Sequence, residues 1–117
     1  MASMTLMAVV LAGGAHASAR PTAERYMQAI ADGDAKEICH LLSPSAKKEM
    51  REEEFGHSCV WSAKQFPRQL GRYPIVKIEF PHPGTASVTI GDHEISDSGN
   101  DGFDMSHTSG RWLITTP

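Results

Sequence analysis

The chain has 117 residues, 40% of them apolar, and a net charge of −3. That length supports one domain around one modest core. The charge is weak and the basic residues are scattered, with no Lys/Arg run alternating with aromatics, which argues against a nucleic-acid partner.

The first charged side chain is Arg20, and the stretch before it, TLMAVVLAGGAHASA, is apolar and then small. This is the order of an export signal: an apolar segment from Thr5 to Leu11, a glycine pair, and then Ala15-His16-Ala17 or Ala17-Ser18-Ala19 as the small-x-small cleavage pattern. Its opening residues carry no Lys or Arg. The run is too short to cross a bilayer as a helix. We therefore expect residues 1–19 to direct export to an extracellular, oxidising compartment, residues 20–117 to form the secreted domain, and no stable membrane span.

From Pro21 the spacing turns helical. Ala23, Tyr26, Met27, Ile30 and Ala31 form one apolar stripe, with Pro21 suited to the first helical position and Gly33 to the stop. Asp34 and Glu37 resemble a capping box for a second helix whose inward face is Ala35, Ile38, Leu41 and Leu42. Ser43-Pro44 ends it and starts SPSAKKEMREEEFG, a charged, solvated turn or short helix with few apolar anchors. From Ser58 a third packing helix is expected, with Cys59, Val60, Ala63 and Phe66 inward, until Pro67 interrupts it.

Beyond Gly71 the period changes to two. Val76, Ile78 and Phe80 alternate with Lys77 and Glu79, and Ala86, Val88 and Ile90 alternate with Thr85, Ser87 and Thr89. Pro81-His82-Pro83-Gly84 makes the turn between them. GDHEISDSGNDG is acidic and turn-rich, with a short strand around His93 to Ile95. A last hairpin runs from Phe103 to His107, turns through Thr108-Ser109-Gly110, and returns from Arg111 to Thr115. Helices followed by an antiparallel meander predict an α+β domain with its helices on one face of the sheet.

Cys39 and Cys59 are the chain's two cysteines. In an oxidising compartment an even count invites a bridge, while two buried thiols that never meet is the other reading. Their spacing excludes a CxxC redox centre, and the two thiols with their neighbours do not make a metal site.

The run RYMQAIADGDAKEICHLLSP resembles the opening of the NTF2-like superfamily, with an aromatic on the first helix, Gly-Asp between helices and a Leu pair ending the second. SGRWLIT resembles that family's last strand. Cysteines placed as Cys39 and Cys59 are similar to those of exported actinobacterial members that join their second and third helices. The resemblance implies a cone, NTF2-like or cystatin-like, in which N-terminal helices pack on a curved antiparallel sheet of about four strands, often with a pocket at the open end. It also implies a Cys39–Cys59 disulfide.

Tyr26 stands where the ketosteroid isomerase branch places a tyrosine that donates to a developing enolate oxygen. That branch also needs a carboxylate base after the second helix, and SPSAKKEM has no aspartate there. Glu49, the nearest carboxylate, lies in a solvated stretch and not in the dry pocket that such a base requires. His107 shares a strand face with Phe103 and Met105 and could serve as a base near neutral pH, but the sequence assigns it no orienting carboxylate. His82, His93 and His107 show no ligand spacing for zinc. The loop DSGNDGFD offers oxygens from Asp97, Asn100, Asp101 and Asp104, yet puts Gly99 and Thr108 at the third and twelfth positions of a calcium loop, so it reads as a solvated turn.

The expectation is a non-enzymatic exported binding or interaction module without cofactor or metal. A pocket lined by Tyr26, Ile30, Phe80, Met105, His107 and Trp112 would hold a small hydrophobic ligand. Two other readings stand beside it: an isomerase or cyclase using Tyr26 and His107, and a homodimer formed through an apolar outer sheet face, with no pocket.

Overall fold

The computed structural model describes residues 18–53, 56–91 and 102–116; the export-signal core, the strand around His93 and the acidic loop from Asp97 to Asp101 lie outside them. The first helix, α1, is described over residues 18–32. Pro21 therefore sits inside α1, behind Ser18, Ala19 and Arg20, and not at its first position. Ala19 explains the difference: it is fully buried and continues the stripe of Ala23, Tyr26, Met27 and Ile30 by one turn. Gly33 ends the helix with φ +70°, a conformation open to glycine at little cost.

The chain then turns into α2 (Ala35–Leu41), where the Asp34 carboxylate accepts from the Glu37 amide at 3.2 Å. Glu37 does not reach back to complete the capping box; its carboxylate pairs with Arg25 of α1 and ties the two helices together. Ser43 caps α3 (Pro44–Glu53) by accepting from the Ala46 amide at 3.1 Å. This segment is a full helix because Ala46 and Met50, four residues apart, both reach the core. Ser58 caps α4 (Cys59–Ala63), which packs on α2 and α3. It stops short of Phe66, and residues up to Phe66 close through tighter amide bonds onto Ser62 and Ala63.

Cys39 and Cys59 form a disulfide across α2 and α4, with Cα atoms 6.1 Å apart. That pairing fits an oxidising compartment. A 3-10 turn, Arg68–Arg72, then lays Gly71 directly on α1, where a methyl group would run into the backbone of Met27 and Ala31. Only glycine allows that approach.

Four strands, β1 (Ile75–Glu79), β2 (Thr85–Ile90), β3 (Gly102–Thr108) and β4 (Arg111–Thr116), form an antiparallel sheet in chain order, not closed into a barrel. Ser109 and Gly110, both at positive φ, make a two-residue turn between β3 and β4. The inner face runs through Ile78, Val88, Phe103 and through Ala86, Met105, Ile114 in cross-strand register. Val76 departs from the expected inward set. A bulge between Ile75 and Lys77 leaves it unpaired and 58% exposed, and Ile75 takes the inward place opposite Ile90.

The outer face carries Lys77, Glu79, Thr85, Ser87, Thr89, Asp104, Ser106 and Thr108, with Leu113 and, at the bulge, Val76 as apolar members. It is not the apolar surface that a dimer through this face requires. The helices cover the inner face, and Leu42 joins the β4 edge beside Ile114 in a parallel bridge, with the Ser43 amide donating to the Ile114 carbonyl at 2.8 Å. Among the described residues no helix is long and apolar enough to cross a membrane.

Candidate functional site

Between α1 and one end of the sheet lies a cavity of about 190 Å3, lined by Tyr26, Met27, Ile30, Leu70, Ile90, Gly102 and Phe103. Each wall has a separate origin. Tyr26, Met27 and Ile30 come from the α1 stripe, Ile90 and Phe103 from the alternation of β2 and β3, and Leu70 from the 3-10 turn that Gly71 allows to touch α1. The lining is apolar except for the tyrosine's oxygen and backbone groups, and the size is of the order that admits one small ring.

Tyr26 is only 2% exposed, and its ring meets Phe103 edge to face at 4.8 Å. Burial pushes its hydroxyl well above the ordinary tyrosine pKa. At neutral pH the phenol is therefore a proton-bearing donor and not a base. The consequence for stability has a definite sign. The unfolded tyrosine ionises near pH 10 while the folded one keeps its proton, so this contribution is complete below about pH 10 and is lost as pH rises towards the folded value. Stability should fall by about 1.4 kcal/mol per pH unit above pH 10, and Tyr26→Phe should remove that slope. Denaturant unfolding of both proteins across alkaline pH measures the difference.

Of the other residues expected around a ligand, Phe80, Met105, His107 and Trp112 fall elsewhere. Ile30 stays with Tyr26 in the cavity lining. Met105 is 1% exposed and packed in the centre of the sheet. Phe80, His107 and Trp112 gather into an aromatic group, with ring centroids 6.1 Å apart for Phe80 and Trp112 and 5.3 Å for His107 and Trp112. His107 thus lies opposite Trp112 on β4 and is not among the described lining of the Tyr26 cavity. Glu49 is exposed on α3.

Phe80 also borders a hollow on the outer side of the sheet with Glu79, Ser87 and Asp104, which is larger but open to solvent. His82 lies in the exposed β1–β2 turn, while His93 and four of the six loop positions considered for calcium, Asp97, Gly99, Asn100 and Asp101, fall outside the described residues. Among the described residues no group of three or more His, Cys, Asp or Glu side chains could hold a metal ion.

Sequence reasoning did not name Met27, Leu70, Ile90, Gly102 or Phe103 as walls, although it placed Met27, Ile90 and Phe103 on the apolar faces that supply them. Leu70 is the lone apolar residue between Pro67 and Gly71, which is a weak signal, because a short segment shows no period. Gly102 gave no signal at all. Compared with models of known protein families, with curated proteins and with solved structures, the chain finds no match.

Proposed function

We propose that this chain is an exported NTF2-like binding module that holds a small hydrophobic ligand in the cavity beside Tyr26. The observation that carries this reading is the apolar space left between α1 and the sheet, with a single protonated phenol at its wall. Such a lining supplies burial for an apolar body and one hydrogen bond to orient a polar tip. An isomerase also needs a base within reach of the same substrate atom. The described lining contains no carboxylate or imidazole, so binding is favoured over catalysis. The helix-covered sheet and the Cys39–Cys59 bridge agree with the cone that the sequence resemblance implies.

Leu70 is the wall best suited to a test, because it is only partly buried and a larger side chain there can fill the cavity. Leu70→Trp should weaken binding of indole at least tenfold, as measured by calorimetry, while leaving the far-ultraviolet spectrum unchanged. Undiminished indole binding by that variant, or none by the parent protein, removes the proposal.

A further inference from the structure

A second hollow, of about 350 Å3 and open to solvent, lies against the Tyr26 cavity. One wall is a stripe of α1, with Arg20, Glu24, Met27 and Gln28 at i, i+4, i+7 and i+8, and Tyr73, just past the 3-10 turn, stands in another. Three observations place the two spaces back to back. Met27 lines both. Leu70 lines the cavity, and the next residue, Gly71, lines the hollow. Ile75 of the hollow pairs across the sheet with Ile90 of the cavity. Gly71 rests on the backbone of Met27 and Ala31, so the movable part of the partition is the Met27 side chain. An unbranched thioether chain adapts its shape to neighbouring space.

We propose that this hollow is a second subsite of the same binding site, taking the uncharged polar tail of a ligand whose ring lies in the Tyr26 cavity and whose linker passes Met27. The proposal rests on the cavity reading and adds to it the class of ligand. That class is a small ring joined through a few methylenes to a carboxamide, or to another neutral group that both donates and accepts a hydrogen bond.

The charge balance of the hollow selects the tail. Arg20 and Glu24 stand 3.8 Å apart, too far for a hydrogen bond, with side chains 53% and 60% exposed. A pair that exposed holds itself weakly and is readily exchanged for contacts with a ligand. The guanidinium only donates and the carboxylate only accepts. A carboxamide therefore finds a partner in the same hollow for its oxygen and another for its nitrogen. An anionic tail meets Glu24 there as a like charge, and a cationic tail meets Arg20 in the same way.

Calorimetry of the full chain with indole, indole-3-butyramide and indole-3-butyrate tests this. In the parent protein the butyramide should bind at least about fivefold more tightly than indole, which is the gain of one net hydrogen bond. It should also bind at least about threefold more tightly than the butyrate. Glu24→Gln removes the like charge and should tighten the butyrate at least about threefold, whereas Arg20→Gln should weaken it by about the same factor. Indole, confined to the cavity, should bind the parent and both variants alike. Both substituted side chains are exposed, so the two variants should keep the parent's thermal unfolding transition. Leu70→Trp, which fills the cavity, should remove the butyramide together with indole. If indole binds but the butyramide binds no more tightly, if the butyrate is indifferent to both charge substitutions, or if the butyramide survives Leu70→Trp, the second subsite is overturned and the cavity reading stands. A parent that binds none of the three overturns both.

Discussion

Trp112→Ala should cost about 3–5 kcal/mol of folding stability, a large share of what a small domain has to lose. Trp112 is 2% exposed on β4, directly opposite His107, and its ring reaches Phe80 on the far side of the sheet. β1 and β4 are the two edge strands, separated by β2 and β3. Phe80, just past the end of β1, and Trp112 on β4 thus bring rings from the two edges of the sheet together. Removing the indole therefore opens a cavity where Phe80 and His107 pack against it. Trp112→Phe keeps an aromatic contact with Phe80 and should lose less than half as much. Urea unfolding followed by circular dichroism measures both without relying on the deleted fluorophore.

Reducing the Cys39–Cys59 bridge should cost about 3 kcal/mol, since it closes a loop with a sequence separation of 20 and its loss frees the unfolded chain. The local effect should be uneven. α4 is a five-residue helix held against α2 and α3, with Ser62 and Ala63 as its fully buried residues, and the Ser62 hydroxyl is buried without a partner. So short a helix has little stability of its own. The two tryptophans report on the two parts separately. Trp61 is 40% exposed on α4, stacked on His57 at 3.9 Å, while Trp112 is buried in the sheet. Measured against the oxidised form of the same variant, reduction should lower the urea midpoint of Trp61 in a W112F background by more than that of Trp112 in a W61F background. Coincident transitions at the unreduced midpoint would show that the bridge contributes nothing.

Much of the architecture was legible because each signal had a local cause. Gly33 and Asp34 separate two helices through a positive φ and a side-chain cap, both of which act within three residues. Ala86, Val88 and Ile90 alternate because β2 lies inside the sheet with one face covered, so its period is uninterrupted. The Cys39–Cys59 pairing followed from compartment and count, and the structure brings the two together.

Other features depend on contacts remote in sequence. Nothing in IVKIE announces the bulge that turns Val76 outward, because it arises from the register with β2. The anchoring of α3 rests on two residues in a charged stretch, too few to outweigh its lysines and glutamates by pattern. For the candidate site, Tyr26 and Ile30 were readable from the α1 stripe. Leu70 was not, since its place in the wall comes from the approach of Gly71 to α1. His107 shares the face expected of it but meets Trp112, because a strand face extends beyond the part of the sheet that α1 leaves open.

The most direct test is methyl-resolved NMR of the oxidised full chain titrated with indole. Saturable shifts should appear on the Ile30, Leu70 and Ile90 methyl groups that line the cavity, while Ile38, Leu42 and Ile114 in the packed core stay unmoved. Lining methyls that do not respond at saturating indole, or shifts spread evenly over the core, would contradict the account.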